Sequence, residues 1–224
     1  MKQMMLTYTI ILVNIIAAYG QPTKTGCNCP KNTMAATKEG NKPDTTFSFS
    51  DNHKIILCGY KEVEDNETYF SEFILQVCGQ DSIIDFWGAI QTCRLSFNHD
   101  TLAVIEIKNL PTGIGRAYKL TDWGIEKIYF SNARPARSFV VNRSIRKYSK
   151  SEIRKTLKEF ETAKTGLDDN KIELANRLFI SAISGNKTAR KYFKEFETKF
   201  GELDGAFAEE YHDLQVMLSL WIEK

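Results

Sequence analysis

The hydrophobic pattern divides the chain into a first half with strand spacing and a second half with helix spacing. Between residues 47 and 141, short apolar runs are separated by polar residues, and Phe73, Leu75 and Val77 fall at every second position. Beyond Ser149 the apolar residues recur at helical spacing. The pattern predicts an α+β protein in which a small antiparallel β domain of five to seven strands precedes a C-terminal helical bundle.

Turn residues and polar stretches suggest how the strands are connected. Asn98-His99-Asp100 separates the runs 93–97 and 102–107, which predicts an antiparallel hairpin. The acidic stretch 62–67 is predicted to be a loop between two strands. The apolar residues of 83–90 fit a helix as well as a buried strand, so this stretch has two interpretations.

The helical half contains two similar segments. Residues 154–169 and 190–205, offset by 36 positions, are identical at nine of 16 positions. This predicts about four helices, arranged as two copies of a helix-turn-helix unit. Two amphipathic helices rich in Lys and Glu, which share a composition without being repeats, are the alternative.

The first 20 residues have the pattern of a secretory signal peptide. Lys2 precedes a short apolar run, and Ala18 and Gly20 are small residues at the expected cleavage site. A buried first helix is less well supported, because the flanks and the position of the run are those of a signal peptide. A lipid anchor at Cys27 is also less well supported, because polar residues separate Cys27 from the apolar run. We therefore expect a secreted or periplasmic protein that has no stable membrane span after cleavage.

Composition shifts suggest domain boundaries within the exported chain. The predicted units are a signal peptide (1–20), a flexible polar leader (21–45), a β-rich domain (46–141), a basic connector (142–150) and an α-helical domain (151–224).

The cysteines all lie in the first half of the chain. They are Cys27, Cys29, Cys58, Cys78 and Cys93. In an oxidising compartment, five cysteines predict up to two disulfides and one remaining thiol, with the connectivity left open. A metal site that uses Cys27 and Cys29 is the alternative, but no second ligand pair follows at suitable spacing.

One stretch departs from the balanced charge of the chain. The formal net charge is +2, which does not imply nucleic-acid binding. Residues 127–151, however, contain basic side chains and no acidic ones. The predicted anion- or partner-binding residues are Arg134, Arg137, Arg143, Arg146 and Lys147. A solvated hinge between the two domains is the alternative interpretation.

Catalytic motifs are missing from the sequence. It has no Gly-x-Ser-x-Gly elbow, His-Glu-x-x-His helix or phosphate-binding Walker loop. His53 and Cys58 form the least implausible nucleophile pair, although a disulfide or a buried thiol explains Cys58 better. Asp81 and Asp85 are paired carboxylates that also suit a cap or a solvated loop.

Together these features favour a non-catalytic binding or accessory protein of the periplasm or cell envelope. A protein partner is predicted, an acidic one if the basic stretch is the contact surface, and neither nucleic acid nor a cofactor. Two other functions stay open: a secreted inhibitor or immunity-type protein that neutralises a toxin or hydrolase, and a small hydrolase with an unrecognised site.

Overall fold

The structure is a computed structural model that describes residues 26–30, 42–64, 66–80, 82–115, 117–164 and 171–223. The signal peptide prediction and most of the predicted leader lie outside these residues. The strands are β1 (Thr45–Ser48), β2 (Lys54–Glu64), β3 (Glu67–Val77), β4 (Ile83–Trp87), β5 (Thr92–Asn98), β6 (Thr101–Pro111), β7 (Tyr118–Ser131) and β8 (Arg134–Val141). The helices are α1 (Lys150–Thr162), α2 (Lys171–Ile183), α3 (Lys187–Lys194), α4 (Phe196–Phe200) and α5 (Gly205–Ile222).

All eight strands form one antiparallel sheet, and the predicted α+β class is confirmed. The order is β1-β2-β3-β5-β6-β7-β8, and β4 also pairs with β3. Strands β4 and β5 therefore follow one another along the same edge of β3. The other consecutive strands pair with each other, so apart from the shared edge of β3 the sheet is an antiparallel meander connected by short turns.

The predicted hairpin at residues 98–100 is confirmed, whereas the predicted acidic loop is wrong. Asn98 pairs with Thr101, and His99 and Asp100 both have positive φ, as a tight primed turn requires. Strand β2 continues to Glu64 and β3 begins at Glu67, because Glu and Lys side chains are tolerated on the exposed face of a two-stranded arm. Residues 83–87 form a strand, since β3 offers them a free edge.

The apolar run of β2 is buried on both faces. Ile55 and Leu57 point into a core formed by the inner face of the curled sheet, together with Phe73 and Trp87. The alternate residues Ile56 and Cys58 pack on the outer face with Ile74, Cys29 and the remaining disulfide cysteines. Strand β2 has no simple period-2 pattern there because the segment 26–30 covers its outer face.

The ladder between β2 and β3 contains a β-bulge. The register shifts between Cys58 and Tyr60, and Glu72 on the facing strand has a φ of 45°. Gly59 lies against Phe73 so closely that an added Cβ would be 2.2 Å from the Phe73 Cβ. This position therefore requires glycine, and the bulge turns the sheet around its core.

The helices pack around α2. Every residue of α2 is buried except Glu173, and α1, α3 and α5 contact it. The segment that corresponds to α1 in the second predicted unit is split into α3 and α4, because the backbone of Glu195 leaves the helical conformation at ψ 8°. Five helices are therefore described where about four were expected, and the internal repeat stays a prediction.

A second core joins the helices to the sheet. Trp123 of β7 is 1% exposed, and its ring lies 5.8 Å from that of Phe179 and 5.9 Å from that of Trp221. Leu110 of β6 belongs to the same core. Strands β6 and β7 thus pack against the helical layer, and a cleft opens beside this joint.

Candidate functional site

A cleft of about 550 Å³ lies between the β6–β7 end of the sheet and the helices α2 and α5. Its sheet side carries Ile107 and Leu120, and its helical side carries Ile172 and Met217. Leu120 is 52% exposed, which leaves a large apolar side chain available to a ligand. The cleft therefore combines an apolar floor with access from solvent.

Carboxylates line the helical wall of the cleft. They are Glu173, Glu209, Glu210 and Asp213. Lys108 from β6 reaches across the opening and places its Nζ 2.5 Å from Asp213 Oδ2. Arg177 lies behind the wall, and its Nη1 is 3.8 Å from Glu173 Oε2. These two cations offset part of the negative charge, so the wall remains acidic.

Glu210 is held by a neutral donor. Asn176 of α2 donates a hydrogen bond to Glu210 Oε1 over 2.5 Å, and the amide orients the carboxylate without neutralising it. Asn176 also donates to the Ile172 carbonyl, so its own position is fixed within α2. Among the described residues, neither Glu209 nor Glu210 makes an ion pair.

Tyr118 brings an aromatic ring to the same cleft. Burial, together with the nearby Glu173 and Glu210 carboxylates, raises the pKa of its hydroxyl to about 12. Tyr118 is therefore protonated at neutral pH and does not serve as a base. Its hydroxyl experiences the negative field of the acidic wall.

The predicted basic residues do not form one continuous surface. Arg137 pairs with Asp85 and Glu126 and donates to the Ile84 carbonyl, so it ties β8 to β4. These carboxylates raise its pKa. Asp85 is thus a structural partner, whereas Asp81 lies outside the described residues.

Two further arginines fix the ends of helices. Arg143 donates to the carbonyls of Trp221 and Leu220 at the end of α5, and its guanidinium lies 4.5 Å from the Trp221 ring centroid. Arg146 donates to the Thr112 carbonyl and pairs with Glu152 at the start of α1. Arg134 and Lys147 are exposed on β8 and on the connector respectively.

The contact between Arg146 and Glu152 makes the stability of the protein depend on pH. Hydrogen bonds from Arg146 and from the Ser149 backbone lower the pKa of Glu152 to about 2. Because the pKa is lower in the folded state, this stabilisation is present above the unfolded value near 4.5 and is lost as the pH falls towards 2. We expect Glu152→Gln to reduce the free energy of unfolding by about 1 kcal/mol at pH 7.

Urea unfolding at pH 7 and pH 3 checks this expectation. The difference between wild type and Glu152→Gln should be smaller at pH 3, since the carboxylate of the unfolded wild-type chain is by then mostly protonated, whereas that of the folded protein is still mostly ionised. Glu202→Gln, at an exposed position in the loop before α5, is the matched control and should have no effect. Equal differences at the two pH values would show that the charge of Glu152 plays no part.

The cysteines are arranged as two disulfides and one thiol, within the number that was predicted. Cys27 is bonded to Cys78, and Cys29 is bonded to Cys58. Cys93 is free and buried in the sheet core, where desolvation raises its pKa strongly. A buried protonated thiol is a poor nucleophile.

The nucleophile pair considered from the sequence does not exist. The Cys58 sulfur is in a disulfide, and His53 pairs with Asp51 and stacks on Phe130 at 4.3 Å between ring centroids. Among the described residues, no group of three or more His, Cys, Asp or Glu side chains is arranged to hold a metal ion. None of the helices in the described part of the chain is long and apolar enough to span a membrane.

Comparison of the chain with known proteins gives no relatives. No protein-family model matches it, no curated protein matches it, and no solved structure matches it.

The sequence did not identify the cleft. Lys108, Tyr118 and Asp213 are far apart along the chain and meet only when the helices fold back on the sheet. The available signal was the spacing of Glu209 and Asp213, which are four residues apart and so share one side of α5. That signal is weak, because exposed carboxylates at this spacing are common on helices.

Proposed function

We propose that the protein is an exported, non-catalytic binding protein whose ligand occupies the cleft between the sheet and α2/α5. The observation that supports this is the cleft itself, which has a volume of about 550 Å³ and in which apolar side chains converge with polar and charged groups. Pockets of this size and lining commonly hold small molecules, for which the range is about 300–1,000 Å³. The joint at Trp123 keeps both walls in place.

The disulfides support the exported location within this proposal. Two disulfides in a chain of this size are compatible with an extracellular protein. Together with the predicted signal peptide, they favour a secreted or periplasmic protein.

The basic stretch is a weaker candidate for the binding surface. Arg137, Arg143 and Arg146 are engaged by carboxylates and carbonyls of the protein itself, which a partner would have to displace. Arg134 and Lys147 remain exposed, so binding of an acidic protein stays a prediction for this region. An inhibitor or immunity-type role would be a special case of binding, and a thiol hydrolase based on Cys58 is incompatible with its disulfide.

Ligand capture tests the proposal. The chain from residue 21 onward is purified with intact disulfides, incubated with an extract of its native compartment, washed and denatured, and the released molecules are identified by mass spectrometry. Ala206→Trp places a large ring at the rim of the cleft and should abolish capture of the ligand.

Val216→Trp is the matched control, since Val216 is an exposed residue of α5 that does not line the cleft. It should retain the ligand as wild type does. Capture of the same molecules by Ala206→Trp would mean that the binding site lies elsewhere.

A further inference from the structure

The charges around the cleft are unbalanced in one direction. Among the described residues, four carboxylates line it; Lys108 is paired with Asp213, and Arg177 lies 3.8 Å from Glu173 but pairs more closely with Glu159. Glu209 and Glu210 have no cationic partner among the described residues. Two negative charges are thus left beside an apolar floor, and the charge complement of this surface is a cation.

The cleft also offers what an organic cation needs besides charge. Tyr118 supplies an aromatic ring, which attracts an ammonium group through its quadrupole. Ile107, Leu120 and Met217 supply apolar surface that an inorganic ion would leave uncovered. Glu210 is oriented by Asn176 before any ligand binds, which reduces the entropy lost on binding.

We propose that the cleft binds a small organic ammonium ion with an apolar body, its charged group facing Glu209 and Glu210 and its body lying against Ile107, Leu120 and Met217. This inference rests on the proposed function, because it names the ligand class of the same cleft. The ring of Tyr118 is the further contact of the ammonium group.

Three probes that share one body and differ in charge test the ligand class. Tryptamine, tryptophol and indole-3-propionate carry an ammonium, a hydroxyl and a carboxylate on the same indole-ethyl body. We expect isothermal titration to give a dissociation constant for tryptamine at least about fivefold lower than for the other two. Raising the salt from about 0.05 M to about 0.5 M should weaken tryptamine binding and leave tryptophol binding unchanged.

Variants of the wall assign the charge preference to its residues. Glu209→Gln combined with Glu210→Gln should bring tryptamine to within about twofold of tryptophol, because the amide at position 210 keeps an acceptor for Asn176 but removes the charge. Glu202→Gln removes one exposed carboxylate that does not line the cleft and should leave all three affinities unchanged.

The outcomes separate this inference from the proposed function. If all three probes bind equally and Ala206→Trp abolishes their binding, the cleft is a binding site, but the inference that it prefers cations is wrong. If tryptamine does not bind, the ammonium inference is overturned, and ligand capture by wild type and Ala206→Trp decides separately whether the cleft binds anything. Stronger binding of indole-3-propionate would overturn the inference in favour of an anionic ligand.

Discussion

Replacing both Cys29 and Cys58 with alanine should lower the free energy of unfolding by about 3–4 kcal/mol. This disulfide closes a loop between residues 29 positions apart, and its removal restores the conformational freedom of the unfolded chain. The folded state is affected as well, because the segment 26–30 covers Ile56 and Ile74 on the outer face of the sheet. A loss of this size is a large share of the stability of a typical domain, about 5–15 kcal/mol.

Urea unfolding of the oxidised proteins measures the effect. Cys93→Ala is the control, because Cys93 is buried to a similar degree but forms no disulfide. This variant should lower the free energy of unfolding by about 1 kcal/mol. A loss below 1 kcal/mol in the double variant would contradict the view that the segment 26–30 is a structural part of the sheet.

Local sequence patterns predicted those parts of the fold that depend on local interactions. The turn at Asn98-His99-Asp100 has residues that tolerate positive φ, and the hairpin between β5 and β6 followed from it. The change from strand spacing to helix spacing near Ser149 also corresponds to the structure, where Ser149 caps α1 through a capping box with Glu152.

Features that depend on distant neighbours could not be predicted in the same way. The run 55–58 is apolar at every position because a disulfide-bonded segment covers the face that would otherwise be exposed. The strand β4 was ambiguous because only its pairing with β3 decides between strand and helix. The cysteine pairs were likewise open, since spacing alone does not determine connectivity.

The basic stretch shows why a run of one charge is a poor guide to a binding site. Its acidic partners are not absent but come from other elements: Asp85 from β4, Glu126 from β7 and Glu152 from α1. Counting charges within 127–151 therefore overstates the free positive charge of this region. The acidic wall of the cleft shows the reverse case, since Lys108 reaches one of its carboxylates from 105 residues away.

Trp123→Ala should lower the free energy of unfolding by about 3–5 kcal/mol and should release the helices from the sheet. Its ring packs on Phe179 and Trp221 and belongs to the core that joins β6 and β7 to the helical layer. Since the cleft lies beside this joint, the variant should also lose ligand binding although Trp123 does not line the cleft.

Hydrogen exchange followed along the chain gives the measurement, and Trp87→Ala is the matched control. Trp87 is also buried, but it stacks on Phe73 at 4.7 Å in the separate core of the sheet. We expect faster exchange of the α2 amides in Trp123→Ala and of the β2 and β3 amides in Trp87→Ala. If both variants accelerate the same amides, the two cores open as one unit, and the joint at Trp123 would not be the element that holds the cleft walls together.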